Sequence, residues 1–173
     1  MRKFFCIIPL LLYSLTGCVH VISMDLREKV DKNISFKEII KDPDAVKGKT
    51  VLISGVILGS RNTKEGTLIE ILQKPADLEE RPKEVYISDG RFLALYDGYL
   101  DTEIYSRGME TAVAGEITGK RILPLDEIEY SYPLILIKEI HLFKPKKEEM
   151  SYRTPYPYWY YQPYYCPYWY LWY

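Results

Sequence analysis

Two histidines and three cysteines in a chain of 173 residues leave little material for metal or nucleophilic chemistry. No Cys/His cluster has metal-ligand spacing, no G-x-S-x-G turn presents a serine nucleophile, and no P-loop or dinucleotide fingerprint is present. His20 stands near the start of the chain, and His141 lies in an apolar run where a structural role is expected. A surplus of positive charge is also missing. The formal net charge is −1, whereas a nucleic-acid binder needs a basic face to displace counterions from phosphates, so no nucleic-acid partner is expected. The oily stretch from Phe4 to Tyr13 is too short to span a bilayer, which takes roughly 20 apolar residues as a helix, and it is interrupted by Pro9.

What the start of the chain does have is an ordered sequence of signals. Arg2 and Lys3 precede the oily stretch, and Leu15-Thr16-Gly17-Cys18 closes it. A charged n-region, an apolar h-region and small residues at the end describe an export signal. The closing tetrad resembles the lipobox of bacterial lipoprotein signal peptides. That chemistry needs a thiol to take a diacylglyceryl group, and small residues before it so that extended backbone enters the peptidase. The new amino terminus then takes a further acyl chain such as palmitate, and two or more chains give stable anchoring. Cys18 is therefore the expected lipidation site, and the covalent lipid is the only expected added group; no cofactor or metal is expected. Removing residues 1–17 takes away Arg2 and Lys3 and moves the formal charge from −1 to −3. Val19, where an Asp would favour the inner membrane, points to the outer membrane and a periplasm-facing domain. The envelope is oxidising, yet with Cys18 acylated only Cys166 keeps a thiol, so the fold is expected to need no intrachain disulfide.

Residues 18–34 are expected as a tether. Ser35-Phe36-Lys37-Glu38 has the capping-box pattern, and Phe36, Ile39 and Ile40 follow at helical spacing before Pro43, which predicts a short helix from Phe36 to Lys41. From Thr50 the character turns to β. "TVLISGVILG" (50–59) is apolar on both faces, "RNTKEG" (61–66) is a polar turn, and "TLIEIL" (67–72) is a second strand. "QKPADLEERPK" (73–83) is a solvated loop, and "EVYISDGRFLALY" (84–96) is strand-like with an Asp89-Gly90 turn inside it. After a connector over 97–108 come strands at 109–119 and 132–143. An internal echo, G-x-I-x-G-x-R, occurs at Gly55–Arg61 and again at Gly115–Arg121. Glycine within a strand marks a bulge, a bend or a close backbone approach, and a small closed barrel demands such coiling. The expected fold is all-β, a five-stranded OB-like barrel with a short N-terminal helix and an extended aromatic C-terminal tail; a small β-sandwich is the alternative.

The lipobox ending at Cys18, together with "SFKEIIKDPDAVKGKTVLISGVILGSRN", "GTLIEILQKP", "GRFLALYDGYLD", "YSRGMETAVAGEITGKR" and "YPLILIKEIHLF", resembles the Slp family of starvation-inducible outer-membrane lipoproteins. The resemblance covers most of residues 18–143. It implies a lipid-anchored, OB-like envelope protein tied to starvation or stationary phase, and it carries over no catalytic residue. Cys18 is the only functional residue it transfers. The chain then divides into a signal peptide (1–17), a tether (18–34), a barrel domain (35–143), and a charged linker with an aromatic tail (144–173).

For an enzyme acting on envelope glycans, carboxylates are the available material: Asp97 and Asp101 around "GYL", Asp126, Glu127 and Glu129 before the last strand, and Glu70 between Ile69 and Ile71. Such an enzyme needs two carboxylates across a cleft, one with a raised pKa. Their spacing does not require this, charge clusters are ordinarily solvated, and strand alternation turns Glu70 outward. A non-catalytic binding or structural module is the expected class. The OB face with Arg61 and Arg121 is the default ligand site by fold analogy. The last 23 residues hold ten of the 17 Tyr and all three Trp, namely Trp159, Trp169 and Trp172. Such rings suit a lipid interface or the apolar faces of sugars in peptidoglycan or lipopolysaccharide; a disordered spacer is the plain alternative. Envelope proteins are the remaining class of partner.

Overall fold

The computed structural model describes residues 21–145. Cys18, His20, Cys166 and the three tryptophans lie outside them. A four-residue helix, α1 (Met24–Arg27), precedes α2 (Phe36–Lys41). Five strands follow: β1 (Thr50–Thr63), β2 (Gly66–Gln73), β3 (Arg91–Tyr96), β4 (Glu110–Leu125) and β5 (Ile128–Leu142). They close into a barrel in the order β1-β2-β3-β5-β4, with β4 returning to β1. All neighbours are antiparallel except β3 and β5, which pair in parallel. This is the OB arrangement that the strand pattern predicted, and not a sandwich.

Alternation explains the core. Val51, Ile53 and Ile57 of β1, Ile69 and Ile71 of β2, Phe92 and Ala94 of β3, Val113 and Ile117 of β4, and Ile135 and Ile137 of β5 point inward as one cluster. The helix α2 plugs one end with Phe36 and Ile39, and the Phe36 ring meets Phe92 edge-on at 5.7 Å between centroids. The repeated G-x-I-x-G-x-R pattern marks the coiling. Register shifts fall between Ile57 and Gly59 in β1 and between Ile117 and Gly119 in β4, so each copy carries a bulge at the same place in its motif.

The capping box at α2 is complete. The Ser35 hydroxyl accepts from the Glu38 backbone N–H, and the Glu38 carboxylate accepts from the Ser35 backbone N–H at 2.7 Å. That backbone bond, and secondly the Ser35 hydroxyl, hold the Glu38 carboxyl below its ordinary value of 4.5. A lowered folded-state pKa means stability that is present above the unfolded value and lost as pH falls through the folded one. Urea melts from about pH 7 to about pH 3 should therefore show the native protein ahead of Glu38→Gln near neutrality, with the gap closing in acid. A gap that does not change with pH would remove the carboxylate from the account.

The elements depart from the sequence expectation in four places. Residues 84–90 are not strand; only Arg91–Tyr96 is. The barrel closes without them, so no strand edge is left for them, and Tyr86 and Ile87 stand exposed. β1 runs on to Thr63 through Arg61, so the turn shrinks to Lys64 and Glu65. β4 and β5 run far past the expected ends and meet at a turn of Asp126 and Glu127, with Asp126 at φ 53. The acidic residues Asp126, Glu127 and Glu129 suggested loop there, but Tyr130 and Tyr132 alternate with Glu129 and Ser131 at strand period. Finally, the segment expected as a tether is packed from residue 22 onward: Ile22 is 2 % exposed, and Val30 bridges to Thr50.

Candidate functional site

Alternation that sends Ile69, Ile71, Phe92 and Ala94 inward sends Leu68, Glu70 and Leu93 outward, onto the outside of β2 and β3. These outward side chains do not face open water. Leu68, Leu93 and Tyr132 are buried in a second apolar cluster, with Leu95, Leu123, Tyr130 and Leu134 packed against it. The cause is the long β4–β5 hairpin, which brings Leu123 and Tyr132 across that face. Between the hairpin and the end of β1 a pocket of about 260 Å³ remains, lined by residues 59–61 of β1, Leu68 and Glu70 of β2, Leu93 of β3, Leu123 and Pro124 of β4, and Tyr132 of β5. In OB folds the face of strands 2 and 3, with the β1–β2 and β4–β5 loops, is where oligosaccharides and oligonucleotides bind.

Glu70 and Tyr132 of the pocket are organised by Arg91 and Tyr130, which stand outside its lining. The Arg91 guanidinium donates to Glu70 Oε1 at 2.9 Å, and the Tyr132 hydroxyl approaches the same oxygen at 3.3 Å. The hydrogen bond to Glu70 holds the Arg91 guanidinium above its ordinary value. Burial first, and Glu70 second, push the Tyr132 hydroxyl up, so it stays a neutral donor. The Tyr130 ring meets Tyr132 edge-on at 4.6 Å, and its hydroxyl accepts from the Arg91 backbone N–H at 3.2 Å. Glu70 is thus paired in place, and among the described residues it is the only carboxylate lining this pocket.

Arg61 lines the pocket and is exposed, with no ion pair or hydrogen bond to its side chain among the described residues. Arg121 differs: it is paired with Glu65 of the β1–β2 turn at the same end of the barrel, and it does not line the pocket. The structure therefore separates the two arginines of the repeat into one free cation and one already neutralised. The loop carboxylates do not converge. Asp97 and Asp101 are exposed, with Asp101 Oδ1 accepting from the Glu103 backbone N–H as a turn cap. Asp126, Glu127 and Glu129 are exposed at the hairpin. The His141 ring packs edge-on against Phe143 at 4.8 Å. Sequence reasoning missed Arg91, Tyr132 and the leucine walls; the signal that could have found them is the alternation around Ile69 and Ile71, carried one strand further.

Chemically, the pocket offers apolar and aromatic walls, an internally balanced Glu70–Arg91–Tyr132 set for hydrogen bonding, and one unneutralised guanidinium at the rim. Its volume suits a single small ring.

The sequence model of the outer membrane lipoprotein Slp family matches residues 15–172. Among curated proteins none matches significantly. Solved structures with similarity include a small single-stranded DNA-binding protein from Streptomyces coelicolor, at 13% identity and TM-score 0.36, covering 56% of this chain and 94% of that one. A mitochondrial single-stranded DNA binding protein from S. cerevisiae is similar at 10% identity and TM-score 0.32, covering 57% of this chain and 97% of that one. At such scores neither likeness bears on what this chain binds.

Proposed function

This chain belongs to the outer membrane lipoprotein Slp family, and from that premise we propose that it is a non-catalytic envelope-binding module. In this reading lipid on Cys18 holds it at the outer membrane, facing the periplasm, in cells under starvation or stationary-phase stress. Its β2–β3 pocket takes an anionic sugar group of an envelope glycan. The observation that carries the ligand class is Arg61, a free guanidinium at the rim of a pocket whose other charges cancel. A carboxylate or phosphate on a sugar would supply the missing partner, the ring would lie against leucine and tyrosine walls, and the hydroxyls would meet Glu70 and Tyr132. An enzyme with two opposed carboxylates gains no support, because among the described residues one carboxylate lines the pocket, and Arg91 pairs with it.

The test is calorimetric titration of the non-lipidated chain from Val19 with soluble peptidoglycan fragments and, in a separate arm, with lipopolysaccharide. The arm that binds identifies the source of the anion. Arg61→Ala is expected to weaken binding about tenfold or more, the worth of one charged hydrogen bond of ~1.5 kcal/mol. Arg121→Ala is expected to change it much less, because Glu65 already occupies that side chain. Equal affinity for the native protein and Arg61→Ala, or no binding in either arm, would overturn the reading.

A further inference from the structure

Both ends of the described chain are fastened to the same flank of the barrel. At the start, the Ser23 backbone N–H donates to Glu139 of β5 at 3.1 Å, and the Ser23 hydroxyl donates to the same carboxylate at 2.7 Å. Four residues on, Arg27 pairs with Glu80 of the β2–β3 connection. At the other end, Arg81 of that connection donates to the Lys144 carbonyl at 2.8 Å. Its guanidinium also pairs with Glu110 at the start of β4 and lies 5.3 Å from the centre of the Phe143 ring. The Ser54 hydroxyl of β1 donates to the Glu80 carbonyl, which seats the connection on the same surface. The flank is therefore the outside of β1, β4 and β5. The fastening residues sit near the start of β1, the start of β4 and the end of β5, whereas the pocket takes residues 59–61, Leu123, Pro124 and Tyr132 from the far ends of the same strands, so flank and pocket lie at opposite ends of those strands.

The reach of the chain turns that placement into an orientation. Cys18 stands five residues before Ser23, and five residues fully extended span at most roughly 17 Å. A lipid on Cys18 would hold this flank within that distance of the bilayer, with no long tether to let the domain turn over. Two apolar side chains stand out toward solvent here: Leu78, 95 % exposed, in the connection that Arg81 fastens, and Met24, 63 % exposed, next to Ser23. Pro145, one residue after the carbonyl held by Arg81, is followed in sequence by the charged run Lys146-Lys147-Glu148-Glu149 and then by residues rich in Tyr and Trp, rings that favour the lipid–water interface.

We propose that the β1–β4–β5 flank is the membrane-facing side of the domain. It is seated on the lipid surface by Met24 and Leu78, with the β2–β3 pocket turned away from the bilayer. The proposal rests on the lipid at Cys18 and not on the identity of the pocket's ligand. The full processed lipoprotein, carrying Cys166→Ser, would be reconstituted into phosphatidylethanolamine–phosphatidylglycerol vesicles with a nitroxide at Leu78→Cys or at Lys64→Cys, the latter in the exposed β1–β2 turn beside Arg61. Relaxation by oxygen, which concentrates in lipid, is compared with relaxation by a water-soluble nickel chelate. Oxygen is expected to dominate at Leu78 and nickel at Lys64, a reversal of the ratio between the two sites. A water-like ratio at both sites, as for a domain drawn off the bilayer toward peptidoglycan, overturns the proposal, and so does a lipid-like ratio at Lys64. Intact mass separates the causes. Lipid on Cys18 with the wrong ratios refutes the orientation alone, whereas a mass without lipid refutes the anchor and the orientation together. Neither result touches the titration of the soluble pocket.

Discussion

Gly115→Ala is expected to destabilise the barrel by about 3 kcal/mol, the upper end for forcing extra volume into a packed site, read as a lower urea midpoint with an unchanged slope. A Cβ built on Gly115 would stand 2.3 Å from the Leu136 carbonyl oxygen and 2.8 Å from Ile135 Cγ2. The first is backbone of the neighbouring strand and has no rotamer to escape into. Gly55, the matching glycine of the other repeat, is in the same position: its Cβ would meet the Leu72 oxygen at 2.3 Å and Ile71 Cγ2 at 2.6 Å. Gly55→Ala should therefore cost a similar amount. Gly59→Ala is the control, because a Cβ there meets nothing within 4 Å; its effect should stay within the roughly 0.5 kcal/mol of an ordinary surface change. A Gly115→Ala protein as stable as the native one would show that the two strands can part to admit a methyl group.

Arg27→Ala should produce the second large effect. The Glu80 side chain is only 8 % exposed, and Arg27 is its ion-pair partner; the second carboxylate oxygen is buried without a hydrogen bond among the described residues. Removing the arginine leaves a buried carboxylate unneutralised, a loss of about 3 kcal/mol when a buried pair is broken from one side. Glu80 also sits at φ 66, a left-handed backbone held by the Asp77 turn, whose carboxylate accepts from the backbone N–H groups of Glu79 and Arg81 at 2.9 Å. The loop has little freedom to carry the carboxylate out to water. The double variant Arg27→Ala/Glu80→Gln should recover much of the loss, because an amide tolerates burial better than an unpaired charge. Thermal melts of the three proteins decide the matter. If the double variant is as weak as Arg27→Ala, the arginine stem's packing, and not its charge, holds the segment.

The barrel was legible in the sequence wherever a strand has one buried face and one position that tolerates only glycine. Ile69 and Ile71 flanking Glu70, and the repeated glycines at 55 and 115, carry local signals of alternation and close approach. The hairpin from 120 to 133 was not legible, because its residues fill a space created by another part of the chain. Leu123 and Tyr132 are covered only because β2 and β3 present Leu68 and Leu93 to them. The same holds for the candidate site. Arg61 could be singled out from the repeat, but its freedom, against the engagement of Arg121 by Glu65, depends on a turn four residues shorter than its composition suggested. Glu80 and Arg81 sit in a run of charges that looks solvated from sequence alone. One turns in to Arg27, and the other reaches across to Glu110 and Lys144.

Closure of the β-sheet has a consequence for a protein confined to a surface. Lipid-held molecules diffuse in two dimensions and meet one another far more often than the same number in solution. An open sheet under that crowding would present a row of unpaired amides as a template for its neighbours. Here the ring runs from β1 round to β4 and back, and the hairpin that overhangs it carries Pro124, Glu127 and Glu129. Proline withholds a donor and the carboxylates repel a second copy. Dense packing in the membrane plane can then raise the number of molecules per area without seeding strand-to-strand aggregation.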